Sequence, residues 1–216
     1  MLMGRQRRAE RRWSQHGEDD RLVRELRDSL RDGYYVDIGA NHPAQDSNTY
    51  RLYNLGMCGV TVDPNELLCL VNQRYRPRDS VVNVAVGAEN GFARFYLMSH
   101  HGLSTFSEAD MRNRQASGIK LLGVTFKPVL RLEQIFRDCV PEGRTKLELL
   151  SVDTEGWDEA VLRSNDWDRF RPRLVLVESN TPDAAGAIAR FMEEVGYRKI
   201  DTFEINDLFE DARRGS

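Results

Sequence analysis

Cysteine is scarce in this chain of 216 residues. Cys58, Cys69 and Cys139 are an odd number, and none stands in a CxxC or Cys/His ligand spacing. That argues against a disulfide framework and a structural zinc, and points to reduced thiols in a cytoplasmic protein. Long apolar runs are lacking as well: no stretch of about 18 apolar residues occurs, so no transmembrane helix is expected. The start, MLMGRQRRAERRW, has the positive character of a secretion signal without the apolar run that should follow, so export by that route is not expected. Net charge is only −3, which argues against a surface built for nucleic acid. The five arginines between Arg5 and Arg12 are a local exception. They read either as a frayed, solvated start or as a contact for an anionic polymer or lipid headgroup. Repeats, low-complexity segments and Pro/Gly/Ser-rich linkers are missing too. Residues 14–216 are therefore expected to form a single domain behind a basic, flexible segment at 1–13.

What is present is an alternation of textures. Leu22, Val23, Leu26 and Leu30 recur at helical spacing, which predicts a helix over 15–30 with Ser14 as its N-cap. Apolar runs predict strands over 34–38, 59–62, 80–86, 93–97, 124–130, 147–152, 174–177 and 197–201. Helices are predicted over 47–55, 65–75, 132–139, 157–162 and 184–195, with Gly56 and Pro77 as stop signals. Strands apolar along their whole length and alternating with helices imply a mostly parallel sheet covered on both faces. The expected fold is a doubly wound, Rossmann-like α/β sandwich. The polar stretch 100–123 reads as a long functional loop. The β segments near 92–97 and 124–130 are candidate edges for pairing in a homo-oligomer.

Open α/β sheets bind ligands just beyond the carboxyl ends of their strands. In GYYVDIGANHP (33–43) the first strand ends at Asp37, and Gly39, Ala40 and Asn41 form the turn that follows. Gly39 allows close backbone approach to a ligand and Ala40 keeps the turn narrow. In GVTVDPN the second strand ends at Asp63, whose carboxylate suits a ribose diol. A nicotinamide dinucleotide fits poorly, because GxGxxG is absent and an acid inside the turn suits a cation better than a pyrophosphate. S-adenosylmethionine fits, having an amino group, a sulfonium and a ribose but no phosphate. The competing reading is a tight strand–helix connection with a capping acid, and Asp63 at the same sheet edge counts against it.

Six stretches together resemble the FkbM family of S-adenosylmethionine-dependent methyltransferases: SQHGED (14–19), VDIGANHPAQDSNTYRLYNLG (36–56), GVTVDPN (59–65), VNVAVG (82–87), LLSVDTEGWDEAVLRSNDW (149–167) and RPRLVLVE (171–178). The resemblance implies a class I methyltransferase fold, with a mostly parallel seven-stranded sheet, acting on hydroxyl oxygens, often those of sugars. It also implies that Asp37, Gly39 and Asn41 line the methionine part of the cofactor and that Asp63 holds the ribose. Many relatives carry glycine where this chain has Pro43. Ser47 and Asn83 complete the candidate cofactor side, Asn83 either near the adenine or as core packing.

On the acceptor side, Asp153 ends an apolar strand and Glu178 ends the next. A buried, unpaired carboxylate is costly, so such acids are seldom idle. The pair would lie within reach of one Mg²⁺; without the ion, one of them would act as base or hydrogen-bond anchor. His100 and His101 open the polar loop and titrate near neutrality; His101 is taken as the catalytic candidate, exposed loop residues being the alternative. His42 reads as structural or a contact. By resemblance, the helix carrying Gln15, Glu18 and Asp19 closes over the cofactor. Ser104 and Thr105 either bond a sugar or end a β segment, and Trp157 and Trp167 read as packing residues with sugar stacking as the alternative. The expected activity is O-methylation of a saccharide or small-molecule glycoside. The alternatives are a catalytically silent cofactor-binding module and a nicotinamide-dependent sugar dehydrogenase.

Overall fold

Burial on both faces of the strands decides the architecture. In the computed structural model, which describes residues 13–144 and 146–215, the strands are β1 (Tyr34–Ile38), β2 (Cys58–Val62), β3 (Ser80–Val82), β4 (Ala85–Val86), β5 (Gly91–Met98), β6 (Leu121–Leu130), β7 (Leu147–Val152), β8 (Leu174–Glu178), β9 (Tyr197–Phe203) and β10 (Asn206–Asp211). The helices are α1 (Glu18–Glu25), α2 (Tyr50–Leu55), α3 (Glu66–Tyr75), α4 (Glu108–Ala116), α5 (Leu132–Cys139), α6 (Asp158–Arg163) and α7 (Pro182–Glu194). The arginine run at 5–12 lies outside the described residues.

Every residue of β1, β7 and β8 is buried. Successive side chains of a strand point to opposite faces, so such strands feed two cores. One core joins Val36, Ile38, Val60, Leu150 and Val175 to α5, α6 and α7 through Ile135, Leu162 and Met192. The other joins Tyr35, Leu149, Leu176 and Leu208 to α1 and α2 through Leu22, Leu26 and Leu52. The main sheet has the order β3-β2-β1-β7-β8-β10-β9, seven strands as the resemblance implied. Its run from β3 to β8 is parallel, β10 pairs antiparallel with β8, and β9 antiparallel with β10. The chain leaves β1 toward β2 and β3, then returns to the other side of β1 with β7. The order reverses between β1 and β7, and the carboxyl ends of the parallel strands open there.

Several elements depart from the sequence expectation. α1 is shorter than 15–30, because Gly17 enters it in the left-handed region at φ 90°. Ser14 still serves its first turn, accepting from the Asp19 N–H at 3.2 Å. The strand expected over 80–86 is two: the Asn83 side chain donates to the Asp63 carbonyl at 2.8 Å, and beyond it the chain leaves the main sheet. β4 then joins a small sheet of order β4-β6-β5. That order leaves β5 at an edge but places β6 between two partners, so the segment 124–130 is not the free edge expected. Phe92, Leu122, Val124 and Phe126 on this small sheet are exposed. The polar stretch 100–123 holds α4, capped by Ser107, which accepts from the Asp110 N–H at 3.1 Å. Its periodicity was faint because Met111 is the helix's one buried residue. β10 was not anticipated; its sequence, NDLFED, buries two acids, Asp207 against Lys199 and Thr202, and Asp211 against Arg171. Among the described residues, no helix is long and apolar enough to cross a membrane.

Candidate active site

Two cavities meet at the carboxyl edge of the parallel strands. The first, about 700 Å³ including its mouth, is walled by Val84, Val86, Phe95, Phe106 and Trp157 and has Asp63 at one side. Phe106 stacks between Phe95 and Trp157, with ring centroids 4.7 and 4.6 Å apart. The second, about 990 Å³ with its open mouth, is polar and lined by Gln15, Asn41, Ser47, His100, Asp153 and Glu178 among others. Gly39, Asn41, Gly102, Asp153 and Glu155 line both cavities and form their common boundary.

The turn after β1 is built on two neighbouring strand ends. The Gly39 and Ala40 N–H groups both donate to the Val62 carbonyl, at 2.9 and 3.1 Å, and the Asp153 N–H donates to the Ile38 carbonyl at 3.0 Å. Gly39 sits at φ 78°, and a Cβ there would lie 1.7 Å from the Asp153 carbonyl oxygen. The need for glycine is therefore packing against β7, where the sequence suggested approach to a ligand. Asn41 (φ 46°), Asp46 (φ 54°) and Glu155 (φ 55°) are the non-glycine residues with positive φ among those described, and each lines a cavity. Backbone strain of this kind collects at binding sites, held by its surroundings. For Asn41 the holders are visible: its N–H donates to Asp63 Oδ2 at 2.9 Å, and its carbonyl accepts from the buried Asn72 amide at 2.8 Å.

Asp63 also takes the Asn65 N–H on Oδ1 at 2.7 Å. Each oxygen has one protein partner, and a carboxylate offers about four acceptor sites, so lone pairs remain for a diol. Burial raises its carboxyl to about 6, against the Asn65 and Asn41 N–H groups that favour the anion. Asn83 is absent from the lining of either cavity; it holds the Asp63 backbone from behind.

Asp37 lines the second cavity, but its carboxylate is gripped beneath the turn. Thr49 donates to it, Ser151 bonds it, and the fully buried Arg76 guanidinium lies 3.8 Å away. Arg76 also reaches Ser47 Oγ at 2.6 Å, the Pro43 carbonyl, and Asp79 at 3.8 Å. Asp79 in turn accepts from Tyr35 at 2.6 Å. Ser47, expected on the cofactor side, thus lines the cavity and anchors Arg76 at once. Arg76 stands in the polar run NQRYRPRD, and nothing local in the sequence marks it. His42 lines the second cavity and also braces the turn, its Nδ1 accepting the N–H groups of Ala44 and Gln45 at 3.2 and 2.9 Å.

Asp153 and Glu178 come together at the ends of β7 and β8 and are hydrogen-bonded to each other. Burial first, then repulsion from Glu178, Asp158 and Glu155, raises Asp153 well above the usual carboxylate range. Burial, with Asp158 and Glu155, brings Glu178 to about 7. Two like charges this close hold a shared proton in preference to ionising together. Among the described residues no group of three or more His, Cys, Asp or Glu is placed to hold a metal ion. Asp158 caps its own loop, accepting from Thr154 and Gly156. Glu155 pairs with Arg114 of α4 at 2.9 Å, and Arg114 also donates to the Leu103 carbonyl at 2.6 Å. The stretch 100–123 is thereby pinned over the site, a link the sequence did not suggest. His100 lines the second cavity. His101 begins a 3-10 turn, and its side chain lies outside what is described. Gln15 lines the second cavity, whereas Glu18 and Asp19 are buried in hydrogen bonds to Asn206 and to Ser14 and Trp13. Ser104 accepts from the Met98 N–H at 3.2 Å, and Thr105 bridges Tyr96. Trp157 forms cavity wall, while Trp167 is core, donating to the Leu162 carbonyl.

The profile of the Methyltransferase FkbM domain matches residues 37–199. No curated protein matches the chain. Among solved structures, the methyltransferase FkbM of Methylobacillus flagellatus KT aligns over 84% of this chain and 44% of its own, at 11% identity and TM-score 0.51. This chain thus spans less than half the length of that protein. Precorrin-6y C5,15-methyltransferase of Geobacter metallireducens GS-15 aligns over 89% of this chain and 86% of its own, at 12% identity and TM-score 0.49. A TehB-like SAM-dependent methyltransferase of Corynebacterium glutamicum aligns over 91% and 88%, at 13% identity and TM-score 0.42. With the strand order above and a profile match over most of its length, the chain belongs to the FkbM methyltransferase family and has the class I methyltransferase fold.

Proposed function

We propose that the protein uses S-adenosylmethionine to methylate a hydroxyl of a saccharide or glycosylated metabolite. The observation that carries this reading is the pair of cavities joined at Gly39, Asn41 and Asp153. One is aromatic-walled with a carboxylate at its side; the other is polar and acidic. Asp63 would hold the ribose, the stacked Phe106 and Trp157 would wall the base, and Gly39 and Asn41 would border the methionine. Asp37, gripped from beneath by Arg76, would shape that border. The bound cofactor supplies an activated methyl group. The protein's part is to align the acceptor oxygen and take its proton. Asp153, on the boundary between the cavities, is placed for that proton, with Glu178 as its partner.

Two carboxylates joined by a proton suit a proton acceptor, and among the described residues no third His, Cys, Asp or Glu joins them to hold a magnesium ion. The rate is accordingly expected to be unchanged by a chelator or by added Mg²⁺, as a radiolabelled methyl-transfer assay would measure. The base must be free, so kcat/KM is expected to rise with pH through about 7, where Glu178 titrates. A flat profile between pH 5.5 and 8.5 would assign proton removal elsewhere. The three free thiols support a reducing, cytoplasmic location. The acidic second cavity also disfavours nucleic acid as acceptor.

Isothermal titration with S-adenosylmethionine and S-adenosylhomocysteine tests the cofactor assignment. Micromolar binding is expected. Asp63→Ala is expected to weaken it roughly 10- to 100-fold, the loss of a charged hydrogen-bonding group worth about 1.5–3 kcal/mol. No binding of either ligand would sink the reading, and binding without turnover on any hydroxyl acceptor would favour the silent module.

A further inference from the structure

The second cavity carries more negative charge than the cofactor needs. Asp37, Asp46, Asp153, Glu155 and Glu178 all line it, and among the described residues no lysine or arginine does. Two of the five have cations behind them: Arg76 lies 3.8 Å from Asp37, and Arg114 lies 2.9 Å from Glu155. Asp153 and Glu178 have each other and a shared proton, Glu178 also bonds the Asn180 side chain, and among the described residues no ion pair balances either acid. Glu178 is 7% exposed, and its Oε2 has no hydrogen-bond partner. A buried acceptor left unpaired costs free energy unless something arrives to satisfy it. Glu178 lines the cavity and can take a donor there, and its acidic surroundings favour a cation.

We propose that the acceptor carries a protonated amine close to the methylated hydroxyl, as in an amino sugar or amino alcohol, and that Glu178 is the seat of its ammonium group. This deepens the methyl-transfer reading and rests on it. An ammonium at Glu178 takes over the neutralising role of the shared proton, which is released to solvent as the acceptor binds. Asp153 is then left ionised beside the hydroxyl, so the same contact that selects the acceptor prepares the base. An anionic acceptor, such as a sugar phosphate, finds no cation among the described residues that line this cavity and meets their repulsion.

The test is calorimetry on protein saturated with S-adenosylhomocysteine, which keeps the cofactor side filled. Glucosamine and galactosamine are titrated against glucose, galactose and glucose 6-phosphate, with wild type and Glu178→Gln compared. The amino sugars are expected to bind at least tenfold more tightly than their neutral counterparts, and the phosphate is expected not to bind. Glu178→Gln, nearly isosteric, is expected to erase the preference while leaving S-adenosylhomocysteine affinity within about twofold and the melting temperature near wild type. Equal binding of amino and neutral sugars, no binding of either amino sugar, or a preference that survives Glu178→Gln overturns the proposal. So does an equal loss of S-adenosylhomocysteine affinity in the variant, which would give the seat to the cofactor's own amino group. Failure of S-adenosylhomocysteine to bind wild type is a separate result, and it removes the methyl-transfer reading itself.

Discussion

Gly39→Ala is expected to abolish cofactor binding and lower stability by about 2–5 kcal/mol. Two costs add. A left-handed residue with a Cβ loses roughly 1–2 kcal/mol, and overpacking of a tight site costs roughly 1–3 kcal/mol. At this chain length that is a fall in melting temperature of about 4–20 °C. The clash is unusually direct, since the added carbon would sit 1.7 Å from the Asp153 carbonyl oxygen. Relief requires parting the ends of β1 and β7, and that boundary is where the two cavities join. Because the obstacle is backbone, Asp153→Ala on top of Gly39→Ala is not expected to restore binding. Ala40→Gly, one position along, is expected to bind nearly normally. Calorimetry with S-adenosylhomocysteine and thermal melts read both effects; a Gly39→Ala protein that binds within threefold of wild type would show the turn to be free to move.

Arg76→Met is expected to have the larger effect on stability, about 3–5 kcal/mol, because it strands charges that Arg76 now balances. Asp37 and Asp79 each lie 3.8 Å from the guanidinium, and Arg76 is fully buried. Burial already raises the Asp79 carboxyl to about 6, with its Tyr35 hydrogen bond and Arg76 pulling the other way, and it raises Asp37 in the same direction. Removing Arg76 raises both further. A carboxyl whose pKa is higher folded than unfolded binds its proton more tightly in the fold. Its contribution is present below about pH 4 and is lost as pH rises through the folded value. The variant should therefore lose less at pH 5, where both acids can be neutral, than at pH 8. Thermal melts of both proteins at the two pH values decide it, and an equal loss at each would mean that the network does not balance charge. Asp63, near 6, and Glu178, near 7, have the same sign, so wild type too is expected to melt at lower temperature as pH rises from 5 to 7.5.

Much of the main sheet was legible because its signals are local. Strands apolar along their whole length announce a sheet covered on both faces, and Gly56 and Pro77 stop helices where they stand. β10 was hidden because buried Asp207 and Asp211 look like loop residues until Lys199, Thr202 and Arg171 are brought to them. α4 was hidden because a helix that buries one residue has no stripe to read.

The same division runs through the site. Asp37, Gly39, Asn41, Asp63, Asp153 and Glu178 could be singled out in the sequence because each stands at or just past the end of an apolar run, and parallel strands bring such ends to one edge. Which side chains stand behind them could not be read. Arg76 is 39 residues from Asp37 and Arg114 is 41 residues from Glu155, and only the crossovers of the sheet and the return of the 100–123 stretch make them neighbours. Strand ends are set by hydrophobic pattern, a property of adjacent residues. Charge balance, burial and the identity of an unpaired oxygen depend on distances across the fold, and those exist only once the chain has closed on itself.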